Sequence, residues 1–464
     1  MTKIISGIFL LFAILLGQSL VSCKKPLSFS NGNLNFSTDT VVFDTVFTTV
    51  GSTTKRLKIY NPGKSTLKID EIELMGGSSS PFRLNVDGLK GKLFSEIEME
   101  KEDSLFIFVE VTLSVNNGTL PLIVEDRIRF RTNGKDQFVQ LAAWGQDAYF
   151  HYKDINSGTW PNDKPHVIYD YAAVDSAQTL NIQPDTKIYL HKDAILYNYK
   201  GTLNINGTRD HEVILQGDRL EAFYQDQPGQ FYGIYMQEAR HSVIEHVIIK
   251  NGTAGIHLYS NDPSNISQYT LDLRFAEIYN NANYGLFLYS GAKVKAENCL
   301  IYKNLSRAVL VLEGGDFNFN YCNLLGYAAS DQVETVGITN YFKNSEGVTN
   351  YKSINEGVFT NCVITGNQAT EFAISTENPG GVYNLNFLFR NCLITAETIP
   401  SDGYFQNILW NQNPAFVNYI ENDFNILNSS VLNGAADDNF HLNEDFDGGN
   451  SRSIPSDVGA YETN

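Results

Sequence analysis

Asn298-Cys299-Leu300-Ile301 returns as Asn361-Cys362-Val363-Ile364 and as Asn391-Cys392-Leu393-Ile394, with Tyr321-Cys322-Asn323-Leu324 as a degraded copy. The Cys-to-Cys spacings are 23, 40 and 30 residues, and Phe319, Phe359 and Phe389 each stand three residues before a Cys. A spacing of this size is the length of one supersecondary unit stacked on its neighbours. On a strand, the Cys and the Ile or Leu two residues later share a face, so both can point inward. The aromatic has the wrong parity for one straight strand, and a two-residue bend between it and the Cys turns it back inside. The Asn then sits at the bend, because Asn tolerates left-handed backbone angles and can hydrogen-bond its neighbours. Stacked coils place successive Asn residues about 4.8 Å apart. Asn298, Asn361 and Asn391, with Cys299, Cys322, Cys362 and Cys392, are therefore expected to form a structural ladder.

Working outward, Gly255-Ile256-His257-Leu258-Tyr259-Ser260 matches Gly285-Leu286-Phe287-Leu288-Tyr289-Ser290 thirty residues on. Ile248-Ile249-Lys250-Asn251, Ile278-Tyr279-Asn280-Asn281 and Ile301-Tyr302-Lys303-Asn304 repeat in the same frame. From Val167 onward, short strands end at small or polar turns, as in Gly201-Thr202-Leu203-Asn204-Ile205-Asn206-Gly207. These repeats resemble the coils of pectate-lyase-like right-handed parallel β-helices, single-stranded solenoids of bacterial origin. Asp457-Val458-Gly459-Ala460-Tyr461-Glu462 resembles their closing motif, and the polar, irregular stretch from Pro414 to Asp445 suits a cap over the open coil end.

The chain is all-β by composition as well: 29 Phe and 25 Tyr against 4 Met in 464 residues favour strands and turns. Before the repeats, residues 39–147 alternate apolar and polar residues in short runs such as Leu57-Lys58-Ile59-Tyr60 and Arg127-Ile128-Arg129-Phe130. Turn signals (Asn61-Pro62-Gly63, Gly76-Gly77-Ser78, Asn133-Gly134) divide them into six to eight strands, the pattern of a β-sandwich. Lys58-Ile59-Tyr60-Asn61-Pro62-Gly63 followed by Leu67-Lys68-Ile69 resembles the immunoglobulin-like modules of abnormal-spindle-type domains, which act as spacers or interaction modules. Residues 148–166 read as a connector, and 167–464 as the β-helix with its C-terminal cap.

At the N-terminus, Lys3 precedes the apolar run from Ile4 to Leu16, too short for a transmembrane helix and suited to a signal-peptide core over residues 1–22. Leu20-Val21-Ser22-Cys23 resembles the lipobox of bacterial lipoproteins, a Bacteroidetes-type lipoprotein among them, which implies that Cys23 becomes the acylated N-terminus. An ordinary signal peptide with an incidental Cys is the plain alternative. The membrane, reached through the lipid anchor, is then the first expected partner, with residues 23–38 as the tether. The expected location is the cell envelope, at the outer membrane, the side faced being left open. Cys23 aside, the other four cysteines read as small apolar core residues, or as two disulfides, since stacked coils bring Cα atoms within the roughly 4.4–6.8 Å that a disulfide spans.

The net charge of −18 disfavours nucleic acid as a partner, and repels acidic polysaccharides unless a local basic groove or a cation intervenes. No Cys-x-x-Cys or His-x-x-x-His spacing marks a metal site, and no cofactor motif occurs. Enzymes on this fold cleave polysaccharides, by paired carboxylates or by elimination. Neither signature is recognisable: Asp437-Asp438 stands alone in the cap region, without the Gly-His-Gly of polygalacturonase-like sites. The best remaining cluster is Glu238, Arg240, His241, Glu245, His246 and His257, with Glu238 and His241 as candidate catalytic acid and base. The bland interpretation puts His246 in the place of Cys299, Glu245 at the bend of Asn298, and His257 outward toward solvent. Asp218, Arg219, Glu221 and Asp226 suggest a charged loop. Tyr259 and Tyr289, at equivalent positions of successive coils, are the candidate ligand-binding residues, because stacked aromatics on a flat face bind sugar rings. The expectation is a non-catalytic envelope scaffold or glycan-binding β-helix, with a polysaccharide lyase or glycoside hydrolase, and a structural or adhesive surface protein, as the rivals. Oligomeric state is left open.

Overall fold

The computed structural model describes residues 32–115, 122–260, 269–328, 333–448 and 451–463. Cys23, the signal segment and most of the tether lie outside the described residues. The chain forms two compact units divided at Asp147 and Ala148.

In the first unit, two five-stranded sheets enclose one core. Alternation decides which side chains enter it: in Lys55–Tyr60, Leu57 and Ile59 are buried while Arg56 and Lys58 face out. The other sheet sends in Ile69, Ile72, Ile128, Phe130 and Leu141 from strands Leu67–Leu74, Leu122–Thr132 and Lys135–Gln146. Thr40–Phe47 runs parallel to Lys135–Gln146, and the other pairings in both sheets are antiparallel. The expected tether is shorter than residues 23–38, because Asn35–Phe36 already pairs with Ile59 and Tyr60 as an edge strand.

The second unit is a right-handed parallel β-helix, 26 strands of one continuous parallel sheet among the described residues. Its first turn begins earlier than expected. The supposed connector 148–166 contains Tyr149–Ile155 and Gly158–Trp160, which pair in parallel with His166–Val174 and Thr179–Ile182. Aromatic and polar residues misled there because they form the end plug: Trp160 stacks on His166 at 4.3 Å and on His151 at 4.4 Å.

The Asn-Cys units are equivalent corners in register. Glu297 pairs with Asn320, which pairs with Thr360, and Phe319, Phe359 and Phe389 align. Asn298, Asn361 and Asn391 have φ of 49°, 53° and 47°, and Tyr321 takes the same left-handed corner at 53°. Inside, Phe319 stacks on Phe359 at 4.9 Å and Phe359 on Phe389 at 5.0 Å. The four cysteines are buried free thiols, and no disulfide joins them. Cys322 N donates to Cys362 Sγ and Cys362 N to Cys392 Sγ, both at 3.4 Å, so the thiols lie along one axis.

Two expectations need correction. The corner asparagines stack in register, but their amides chiefly hold another segment: Asn298 Nδ2 donates to Glu444 O, Asn361 Nδ2 to Asp437 O and Asn391 Nδ2 to Ala435 O. Tyr321 interrupts the column, so an unbroken amide ladder cannot form on that edge. A short asparagine ladder stands at a different corner, where Asn281 Nδ2 donates to Asn304 Oδ1 at 2.9 Å and Asn280 Nδ2 to Asn251 Oδ1 at 2.7 Å. The C-terminal segment, in turn, is a lateral strap and not simply an end cap. Phe424, Leu432, Val458 and Tyr461 cover the outward face of Leu300, Tyr302, Leu325, Val363 and Leu393. That face is apolar on both sides of its strands, which only a covering layer can make stable.

Candidate functional site

One flank of the β-helix is built from Ile195–Tyr199, Gly233–Gln237, Ala254–Tyr259, Tyr284–Tyr289 and Arg307–Leu312. Leu196, Ile234, Ile256, Leu286 and Val309 point inward from successive coils and are fully buried. The glycine that recurs in the Gly-x-x-Leu-Tyr repeats has a steric basis. A Cβ on Gly255 would stand 2.3 Å from Ile278 Cγ2 and 2.6 Å from Gly285 O, so only glycine lets the turn close.

Outward, two aromatic columns run along this flank. In one, Tyr197, Tyr235, His257 and Phe287 succeed each other at centroid distances of 5.4, 4.7 and 4.4 Å. His257 does point away from the helix interior, as expected, but it does not meet solvent freely. Its neighbours cover it, Tyr232 Oη bonds Nδ1 at 2.6 Å, and burial pushes its pKa down to about 4. The second column holds Tyr259 and Tyr289, with ring centroids 5.6 Å apart.

Past the second column an insertion builds a wall. The spacing of 40 between Cys322 and Cys362 accommodates the hairpin Tyr341–Lys343 and Thr349–Tyr351. Tyr259, Tyr289, Ser290, Glu313, Thr349, Asn350, Tyr351, Lys352 and Tyr383 line a cleft of about 470 Å³. Lys352 Nζ anchors its floor by donating to Ser290 O at 2.6 Å, Ser290 Oγ at 2.8 Å and Ser260 O at 3.4 Å. Ser290 Oγ donates to Glu313 Oε1 at 3.2 Å. Burial lowers the Lys352 pKa, partly offset by the Glu313 carboxylate. Lys352 packs against Gly314 (φ 68°), where a Cβ would lie 2.8 Å from Lys352 O. Tyr351 Oη donates to Glu377 Oε2 at 2.7 Å, and its ring is 5.6 Å from that of Tyr383. Flat aromatic faces beside fixed hydroxyl, carboxylate and amide groups can sandwich a pyranose ring and bond its hydroxyls.

The structure thus brings Tyr259 and Tyr289 together and adds Glu313, Tyr351, Lys352 and Tyr383. Of those four, Tyr351 and Lys352 were signalled by the overlong Cys322–Cys362 interval, which marks an insertion on one face of a repeat protein, whereas Glu313 and Tyr383 lie outside that interval.

The candidate acid and base are not brought together. Glu238 sits at a left-handed corner (φ 48°) in an ion pair with Lys200 at 2.9 Å. His241 lies beyond that corner, with Nδ1 bonded to Tyr269 O at 3.0 Å and Nε2 3.8 Å from Asp272 Oδ2. His246 and Glu245 are each displaced by one place from their expected positions. His246 itself occupies the left-handed corner (φ 47°), stacked on Phe275 at 4.5 Å, and Val247 takes the inward place equivalent to Cys299. Asn251 aligns with Asn280 and Lys303, not with Asn304, so matching asparagines shifts the frame by one residue. Glu245 lies on a strand, where Arg274 Nη1 donates to its Oε1 at 2.8 Å, and Arg274 also forms an ion pair with Glu297 at 3.3 Å. Arg219 pairs with Glu221 and lies over the Tyr224 ring, and Asp218 bonds His191 at 2.7 Å, so the charged loop is packed against the coils. Among the described residues, no group of three or more His, Cys, Asp or Glu side chains is placed to hold a metal ion.

Residues 225–435 match the family model for the right-handed beta helix region. None of the curated proteins matches the chain. Among solved structures, the chain is similar to a family 123 glycoside hydrolase from Clostridium perfringens, described for glycolipid glycan hydrolysis. The identity is 7% and the TM-score 0.18, over 26% of this chain and 30% of that one. The matched region thus spans less than a third of the hydrolase, and the likeness bears on neither fold nor activity.

Proposed function

We propose that this chain is a lipid-anchored cell-envelope protein whose β-helix binds an extended glycan without cleaving it. The observation that carries the proposal is the cleft in which Tyr259 and Tyr289, from successive coils, share a polar pocket with Tyr351 and Tyr383. The pocket lies on the flank of a solenoid, where a polymer can continue along the axis past the aromatic column of Tyr197, Tyr235 and His257. Its polar groups are tied to one another, Lys352 to Ser290 and Ser290 to Glu313, which suits a binding floor more than an acid–base pair. Attachment through Cys23 at the outer membrane, with the sandwich as a spacer, completes the proposal and rests on the lipobox-like Leu20-Val21-Ser22-Cys23.

A second reading, polysaccharide cleavage, is favoured by the charged row on another face. There Arg274 contacts Glu245 and Glu297, Lys295 contacts Glu297 at 2.7 Å, and His241 faces Asp272. A glycan array and a polysaccharide-degradation screen on the chain from Lys24 onward separate the two. Binding without products, lost on Tyr259→Ala/Tyr289→Ala by about tenfold or more, is the expected result. Release of unsaturated or new reducing ends, abolished by Arg274→Met, would establish the enzyme instead. If nothing binds, a purely structural or adhesive role takes its place.

A further inference from the structure

The charge of this protein is unevenly shared. Residues 148–464 contain 36 Asp and Glu against 18 Lys and Arg, while residues 32–147 contain 16 against 13. Within the sandwich, basic side chains gather on the outer face of one sheet, formed by Asn35–Phe36, Lys55–Tyr60, Ser104–Val111, Phe82–Val86 and Leu89–Gly91. Arg56 is paired across the ladder with Phe108, Lys58 with Phe106, and Asn85 with Lys90. Phe106 and Phe108 are 37% and 39% exposed, and Leu89 at the hairpin end is 68% exposed. The Arg56 guanidinium lies 5.0 Å and the Lys58 ammonium 5.3 Å from the Phe106 ring centroid. Arg83, Lys90, Lys92 and Phe108 line a cleft of about 410 Å³ on the half of this face formed by Ser104–Val111, Phe82–Val86 and Leu89–Gly91. Two acidic residues belong to the face: Glu110, which Arg83 neutralises at 3.6 Å, and Asp87 in the hairpin turn.

We infer that this sheet face docks on an anionic phospholipid surface. Exposed phenylalanines interleaved with Arg56, Lys58 and Lys90, which have no carboxylate partner among the described residues, are what an interface of acyl chains and phosphates recognises. The rings enter the headgroup boundary while the cations meet the phosphates. The chain's path supports that occupant. Asn35–Phe36, the first strand, is the edge of this same sheet and pairs with the strand bearing Arg56 and Lys58. Eleven residues lie between Cys23 and Asn35, which limits the face to about 40 Å from an acylated Cys23. Docking of a few cations is weak alone and effective when an anchor already holds the chain at the surface. The choice of a membrane over another polyanion therefore rests on the anchor proposed above, but binding itself can be measured without it.

The test is sedimentation of the chain from Lys24 onward with vesicles of phosphatidylglycerol and phosphatidylethanolamine, against vesicles of phosphatidylcholine alone. The expected result is binding to the anionic vesicles only, falling steeply between about 0.05 and 0.5 M salt. Arg56→Glu/Lys58→Glu should weaken it by at least about tenfold, while Lys101→Glu/Lys135→Glu, of equal charge change, leaves it intact. Unaltered melting curves for both variants establish that each is folded. Equal loss in the two variants, equal binding to both vesicle types, or no binding at low salt would overturn the inference. So would binding to polygalacturonate through Arg56 and Lys58 without binding to vesicles. The mass of the mature N-terminus tests the anchor separately: an unacylated chain that still binds anionic vesicles keeps the docking face and removes the anchor.

Discussion

Replacing Arg452 should unfasten the C-terminal strap. The Arg452 side chain is fully buried, with its guanidinium centred 3.9 Å from the Tyr321 ring centroid. It donates to Asn298 Oδ1 at 2.7 Å, to Gly459 O and Ala460 O at 3.0 Å, to Glu444 O at 3.2 Å, and to Glu462 Oε2 at 3.3 Å. Arg452→Met keeps the volume and removes all of these donors. Breaking a buried pair on one side costs about 3–5 kcal/mol. The lower end applies here, because Glu462 keeps bonds from Ser453 N, Ser453 Oγ and Asp457 N. Roughly 3 kcal/mol corresponds to a more than hundredfold rise in strap opening. Hydrogen exchange on peptides from residues 430–463 should report it, with the coils from 180 to 290 unchanged. Arg452→Met/Glu462→Gln should recover about 1–2 kcal/mol, since the double change leaves no unpaired charge. Unchanged exchange in the strap, or no recovery in the double variant, would refute this account of how the strap is held.

Phe359→Ala removes the middle of a column bounded by rings 4.9 and 5.0 Å away. The coils above and below cannot collapse into the gap, so a loss of about 3–5 kcal/mol in denaturant unfolding is expected. Cys299, Cys322, Cys362 and Cys392 are buried thiols whose pKa burial raises for the first three. They should resist thiol reagents in the native chain, all react on unfolding, and leave the melting temperature insensitive to reductant. His166 and His257 have pKa values pushed down by burial to about 4, below the unfolded value of about 6.5. The unfolded chain therefore binds more protons between those values, and stability should fall as pH drops from about 6.5 to about 4. His257→Phe, which preserves the aromatic column, should flatten part of that dependence in urea midpoints measured at both ends of the window.

Along the chain, the corners were legible residue by residue. A left-handed backbone position and an inward thiol are local demands that Asn298-Cys299, Asn361-Cys362 and Asn391-Cys392 meet in two residues, and Phe359 and Phe389 add an inward aromatic three residues before the last two thiols. So was the pairing of Tyr259 with Tyr289, because a solenoid converts a 30-residue spacing into adjacency. The same periodicity placed His246 one residue off, since a single asparagine can serve either of two neighbouring turn positions. What surrounds the coils was not legible. The burial of His257 depends on Tyr232 and Tyr235 from the coil before it and on Phe287 from the coil after it. The partners of Asn298 lie more than 140 residues away. The hairpin behind the tyrosine cleft shows in sequence only as an overlong interval, and the basic face of the sandwich only as scattered lysines and arginines. Short-range backbone chirality and side-chain parity decide the inside of a β-helix. Its outside is decided by where distant segments come to rest, and no local pattern encodes that.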